Sequence, residues 1–162
     1  VLCVVQNITS GIDMGAFNTV RTRNDRQVLE TKTAQTIVGD TAKNFDFDLR
    51  SHQFNGFLWI VIETLTKTGN GLDNMSFTYS PLIEDNAGNL VVPTNVSGLT
   101  LESGLDISTV GNVAIYDISR VVQDNGDHLE CLSPDGVRIT AQNVGGAAPG
   151  DNSNLELTLI GR

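Results

Sequence analysis

A chain of 162 residues with 40% apolar and 18% charged side chains is long enough to bury a full core as one domain without metals or several disulfides. Its formal charge of −9, from 19 acids against 10 bases, argues against nucleic acid or an anionic lipid surface as the main partner. The longest apolar run, Phe57 to Ile62, is too short for a membrane-spanning helix.

Strand-like alternation and turn signals follow one another along the chain, with no convincing amphipathic helix. Residues 1–8 read as a strand stopped by Thr9-Ser10-Gly11, and residues 12–26 alternate only at Val20-Arg21-Thr22-Arg23. The start has neither a basic leader nor a small-residue cleavage site, so no secretory leader is expected, and the missing initiator Met points to a trimmed start. Residues 27–38 carry threonines at 31, 33 and 36 among other β-branched residues, which favours a strand over a helix. In Phe45-Asp46-Phe47-Asp48-Leu49 the three apolar groups share one face and both aspartates the other.

Asn55-Gly56 is the strongest short hairpin signal, and the following run, 57–66, is apolar on both faces, as a central strand would be. Trp59 lies in the middle of that run and is expected in the core. A strand over 74–83 leads through the hairpin loop 84–89 to Leu90-Val91-Val92, which Pro93 ends. Residues 94–109 read as loop. Strands resume at 113–122, 128–132, 137–144 and 154–160, with the Ser133-Pro134-Asp135-Gly136 turn and a flexible loop at 145–152 between the later ones.

About nine to eleven strands without an internal repeat point to an all-β, two-sheet antiparallel sandwich of jelly-roll type. An immunoglobulin-like sandwich is the alternative: the Cys3, Trp59, Cys131 order fits, but the Cys interval is far too long. Two buried free thiols are favoured over a Cys3–Cys131 bond.

Chemistry is hard to find in this sequence. There is no Gly-x-Ser-x-Gly elbow, and His52, His128, Cys3 and Cys131 have no metal-ligand or catalytic spacing. Asp46 and Asp48 share a strand face, yet glycoside hydrolysis needs two carboxyls in different environments across one cleft. The turns at Asp124-Asn125-Gly126-Asp127 and Asp85-Asn86 offer oxygen ligands for calcium, but neither matches a twelve-residue calcium loop, and hydrogen bonding within the turns accounts for them. Sequons at Asn7, Asn74 and Asn95 are what chance supplies in a chain this rich in Asn, Ser and Thr. No catalytic residue, cofactor or metal is therefore expected.

One basic group stands out. Residues 1–43 hold five bases and four acids, a balance of +1, whereas residues 44–162 hold five bases and fifteen acids, a balance of −10. Arg21, Arg23 and Arg26 lie in the first part and could pair with an acidic partner surface, Arg21 and Arg23 from one side of a strand.

The run Phe57 to Thr66, the strand ending Tyr79-Ser80-Pro81, and Val137-Arg138-Ile139-Thr140 with the terminal Asn154 to Arg162 resemble small β-sandwich virion proteins of tailed bacteriophages, several of which decorate or cement the capsid. The resemblance covers residues 44–162 and hardly touches 1–43. It implies a jelly-roll-like sandwich on the capsid exterior that binds the major capsid protein, self-associates (often as a homotrimer) and catalyses nothing. On that footing residues 44–162 are the sandwich body and 1–43 an N-terminal strand or arm against the capsid, all within one domain. A carbohydrate-binding or lectin-like module is the other reading, with Tyr79 and Tyr116 as its aromatic candidates.

Overall fold

The computed structural model describes residues 26–54, 57–96, 98–122, 128–130 and 134–162, and side chains at all of these except 120–122 and 128–130. Val1–Ile8, Arg21, Arg23, Cys3, Cys131 and the Asp124–Asp127 turn lie outside the described residues.

Eleven strands and no helix occur among them: β1 (Gln27–Val38), β2 (Lys43–Asp48), β3 (Leu58–Lys67), β4 (Met75–Glu84), β5 (Leu90–Val91), β6 (Leu99–Leu105), β7 (Val113–Asp117), β8 (Arg120–Val122), β9 (His128–Glu130), β10 (Gly136–Asn143) and β11 (Asn152–Gly161). They form a four-stranded sheet in the order β1-β11-β3-β7 and a five-stranded sheet in which β2-β10-β4 continues to β5 and β6. A small β8-β9 ribbon stands apart. Every pairing is antiparallel.

The pairing identifies the winding. Set aside the accessory pieces β5, β8 and β9, and the first strand pairs with the last, β1 with β11. The second pairs with the second-last, β2 with β10, then β3 with β7 and β4 with β6. A single long antiparallel ribbon rolled on itself has this nesting, and contacts β11–β3 and β10–β4 close the two sheets. The fold is a two-sheet jelly roll, as the strand pattern predicts.

Period-2 patterning builds the core. Phe45 and Phe47 of β2, Ile60 and Ile62 of β3, Met75, Phe77 and Tyr79 of β4, Val137 and Ile139 of β10, and Leu155, Leu157 and Leu159 of β11 are all buried between the sheets. Burying a side chain of this kind contributes roughly 1.5–3 kcal/mol. One close approach is tight: a Cβ on Gly136 would meet the Phe47 carbonyl oxygen at 2.6 Å, so β2 and β10 pair here only with glycine.

Several expectations change. Asn55-Gly56 itself is outside the described residues, but the strands flanking it do not form a hairpin: β2 pairs with β10 and β3 with β11 and β7, in different sheets. The segment between them is a crossover. Part of the supposed loop 94–109 is β6, paired with β4 through two register shifts and Gly104 at φ +92°. Those irregularities break the alternation by which a strand is recognised. β1, in the part read as an N-terminal strand or arm, runs along β11 from Gln27↔Gly161 to Val38↔Asn152.

Candidate interaction face

Each sheet has one face in the core and one turned out, and the two outer faces differ in chemistry. On the five-stranded sheet the outward positions of β2 and β10 are polar and paired, and Ile83 and Val91 are exposed at the β4–β5 end. Asp46 accepts from Arg138 Nε and Nη2 at 2.7 Å each, a bidentate pair that raises the Arg138 pKa. Beside it Thr140 donates to Asn44 Oδ1 at 2.7 Å. At the strand ends Arg50 bridges Asp48 (2.6 Å) and Glu84 (2.9 Å). The Arg50 guanidinium, and the Arg50 backbone N–H at 3.0 Å, hold the Asp48 carboxyl down to about 2.

These contacts place the carboxylates weighed from sequence. Asp46 and Asp48 do share an outward face, each paired with its own arginine. Asp85 turns both oxygens back into its own hairpin: Oδ1 accepts from the Ala87 and Asn89 N–H groups and Oδ2 from the Asn89 amide. Those bonds, the ones from Asn89 foremost, lower its pKa. Among the described residues no three His, Cys, Asp or Glu side chains cluster as metal ligands.

On the four-stranded sheet the outward face is apolar at one end. Trp59 is not core; β3 alternates, so Leu58, Ile60 and Ile62 point in and Trp59 and Val61 point out, half-buried. The register sets two cross-strand rows, Val28–Ile160–Trp59–Asp117 and Thr31–Thr158–Val61–Ile115. Phe57, two residues before Trp59, adds to this end: its ring lies 6.3 Å from that of Trp59 at 15°. Phe57, Val28, Val113 and Ile115 are 53, 63, 55 and 63% exposed. Large apolar residues crowded together on an outer surface mark a contact site.

Arg26 belongs to this face. Its guanidinium carbon stands 5.6 Å from the Trp59 ring centre, within cation–π range, and it walls a hollow of about 190 Å³ lined also by Val61, Ile115 and Ile160. Of the three arginines singled out, Arg26 is the one that can be placed; Arg21 and Arg23 precede the described residues. The aromatic candidates fare differently. Tyr79 is buried in the core, and Tyr116 points inward from β7, tilted against Phe77 at 6.1 Å. Burial, with the Glu102 charge, pushes the Tyr116 hydroxyl up to about 12. The outward aromatics are Phe57 and Trp59, which sequence reading missed because Trp59 sits in an unbroken apolar run.

No family model matches the chain, and neither does any curated protein. Solved structures do. The T13 viral particle of IBDV (infectious bursal disease virus) aligns over 84% of this chain and 31% of that one, at 10% identity and a TM-score of 0.41. Turnip yellow mosaic virus aligns over 85% and 91%, at 11% and 0.36. The CBM22-1 xylan-binding domain from Paenibacillus barcinonensis Xyn10C aligns over 83% and 94%, at 5% and 0.40. The chain thus spans about a third of the length of the viral protein given first. Likeness at this level carries no functional argument, and the jelly-roll assignment stands on the strand pairing.

Proposed function

We propose that the protein is a non-enzymatic structural subunit of a virion, a decoration or cement protein on the outside of a tailed-phage capsid, which binds the major capsid protein and itself. The observation that carries this reading is the uneven surface: a jelly roll whose one outer face is salt-bridged and polar across β2 and β10 and whose other exposes Phe57, Trp59, Val28 and Ile115 around Arg26. The polar face stays in water. The apolar face is the part that gains from contact, at roughly 25 cal/mol for each Å² of apolar surface removed from water. Arg26 then serves as the charged contact at its rim, free to turn from the Trp59 ring to a partner carboxylate.

The test is cosedimentation with purified capsids of the phage that encodes the chain. A decoration subunit pellets with them and saturates at a fixed ratio to capsid protein. A chain that stays in the supernatant, and is absent from purified virions, is something else.

A second reading has one specific observation in its favour. The near-coplanar Phe57 and Trp59 rings form an apolar platform of the kind that stacks on sugar rings. A sugar would have to displace Arg26 from the Trp59 face, which makes this the weaker use of the site. Glycan binding abolished by Trp59→Ala would promote it.

A further inference from the structure

A sheet edge is a row of unpaired N–H and C=O groups, and native proteins protect such rows with charges, bulges, proline or very short strands. Among the described residues the two main sheets end in β1, β7, β2 and β6, with the two-residue β5 beside β6, and all but β7 carry such devices. β1 has two register shifts, Ala34 at φ 52°, and the Lys32–Glu30 ion pair. β2 places Lys43, Asp46 and Asp48 along its length. β6 is broken by two register shifts and by Gly104.

β7 is the exception: from Val113 to Tyr116 it is regular, in unbroken register with β3, and holds no charge, proline or glycine. Its hydrogen bonding can be read from its ends. Ile118 N donates to Leu58 O at 2.9 Å, and Thr64 N donates to Asn112 O at 3.0 Å. In an antiparallel pair bonded residues alternate with unbonded ones, so Tyr116 and Ala114 also face β3. The backbone groups of Val113, Ile115 and Asp117 therefore point to the free edge. No described strand pairs there.

We infer that the β7 edge, centred on Ile115, pairs with the β7 edge of a second copy of this chain. Three outward residues spaced by two are self-complementary about a two-fold axis: Ile115 opposes Ile115 of the other copy, and Val113 opposes Asp117. The ladder that results uses the N–H and C=O of all three residues in both chains. No like charges face each other across it, because Asp117 meets Val113. Ile115 of each copy then meets its counterpart, with Val61 on the strand behind it, and the two apolar faces join into one band across an eight-stranded sheet.

This deepens the proposed function, resting on its self-association part and naming the surface. The pairing is two-fold, in place of the three-fold assembly that the phage resemblance implies. Five residues of strand bury too little for tight association in solution, and two bodies of −9 repel each other, so the contact strengthens with added salt and with crowding on a shared surface.

Sedimentation equilibrium of the full chain, from roughly 0.01 to 1 mM, is the test. The expected result is a shift from one-chain to two-chain mass, more complete at higher salt. Ile115→Lys, at an exposed position, should weaken it at least about tenfold, while Val28→Lys on the opposite edge of the same sheet leaves it unchanged. In the wild type the amides of Val113, Ile115 and Asp117 should gain exchange protection with concentration, a measurement that needs no variant. A chain that stays monomeric throughout, a three-chain mass, or a dimer untouched by Ile115→Lys overturns the assignment. Because Ile115 also lies on the apolar face, pelleting with capsids is read on the wild-type chain at saturation, so loss of the edge contact and failure of the capsid reading are distinguishable.

Discussion

The two outer faces of the sandwich were built by one strand grammar and ended with opposite chemistry. Alternate residues of β2 and β10 turned outward are Asp46, Arg138, Asn44 and Thr140, each bonded to its cross-strand partner. Those of β3, β7 and β11 turned outward at one end are Trp59, Val61, Ile115 and Ile160, with Phe57 beside them. Neither face is needed to close the core, which the inward residues complete. The second face is therefore apolar surface that the fold itself does not use, and this is the physical reason to assign contact to it.

The sharpest way to test the comparison is to set inner and outer aromatics against each other. Phe77→Ala removes a fully buried ring and should cost about 3–5 kcal/mol in chemical denaturation. Trp59→Ala removes a larger side chain from the outer face and should cost less, roughly 1–2 kcal/mol, because that ring is already partly in water. Equal losses would mean that Trp59 is core after all. Next in size is Gly136→Ala, which drives a methyl against the Phe47 carbonyl and should cost roughly 1–3 kcal/mol and loosen β2 first by hydrogen exchange.

Most of the inner surface was legible in the sequence, and the reason is period. Phe45-Asp46-Phe47-Asp48-Leu49 alternates cleanly because one side is dry and the other wet, and its apolar groups are buried as read. The outer apolar face was not legible, since a strand with apolar groups on both sides looks the same whether its second side meets another layer or water. β6 was missed for the opposite reason, its bulges having scrambled the period. The Asn55-Gly56 signal misled because local turn chemistry cannot say which sheet the next strand joins.

The polar face should respond weakly and to pH. Breaking the Asp46 pair with Arg138→Ala should cost only about 0.2–1 kcal/mol, less at high salt, since both groups are partly exposed. The Asp48 carboxyl, held near 2 by Arg50 against an ordinary 3.8, adds stability that is present above pH 4 and lost as pH falls toward 2. Asp48→Asn should flatten that part of the acid-melting curve. The inner side of β7 gives the converse case: Tyr116 is raised from 10 to about 12, so its contribution is full below pH 10 and lost as pH rises through 12. Absorbance titration of tyrosinate in wild type and Tyr116→Phe reads it directly.

One residue reports on the contact face without any label, because Trp59 is the only tryptophan in the chain. Its emission and its quenching by acrylamide, followed as capsids are added, test the assignment of function to this face most directly. A blue shift with reduced quenching, saturating at the binding ratio, is the predicted result. Capsid binding that leaves the Trp59 signal unchanged would contradict it and move the contact to the polar side.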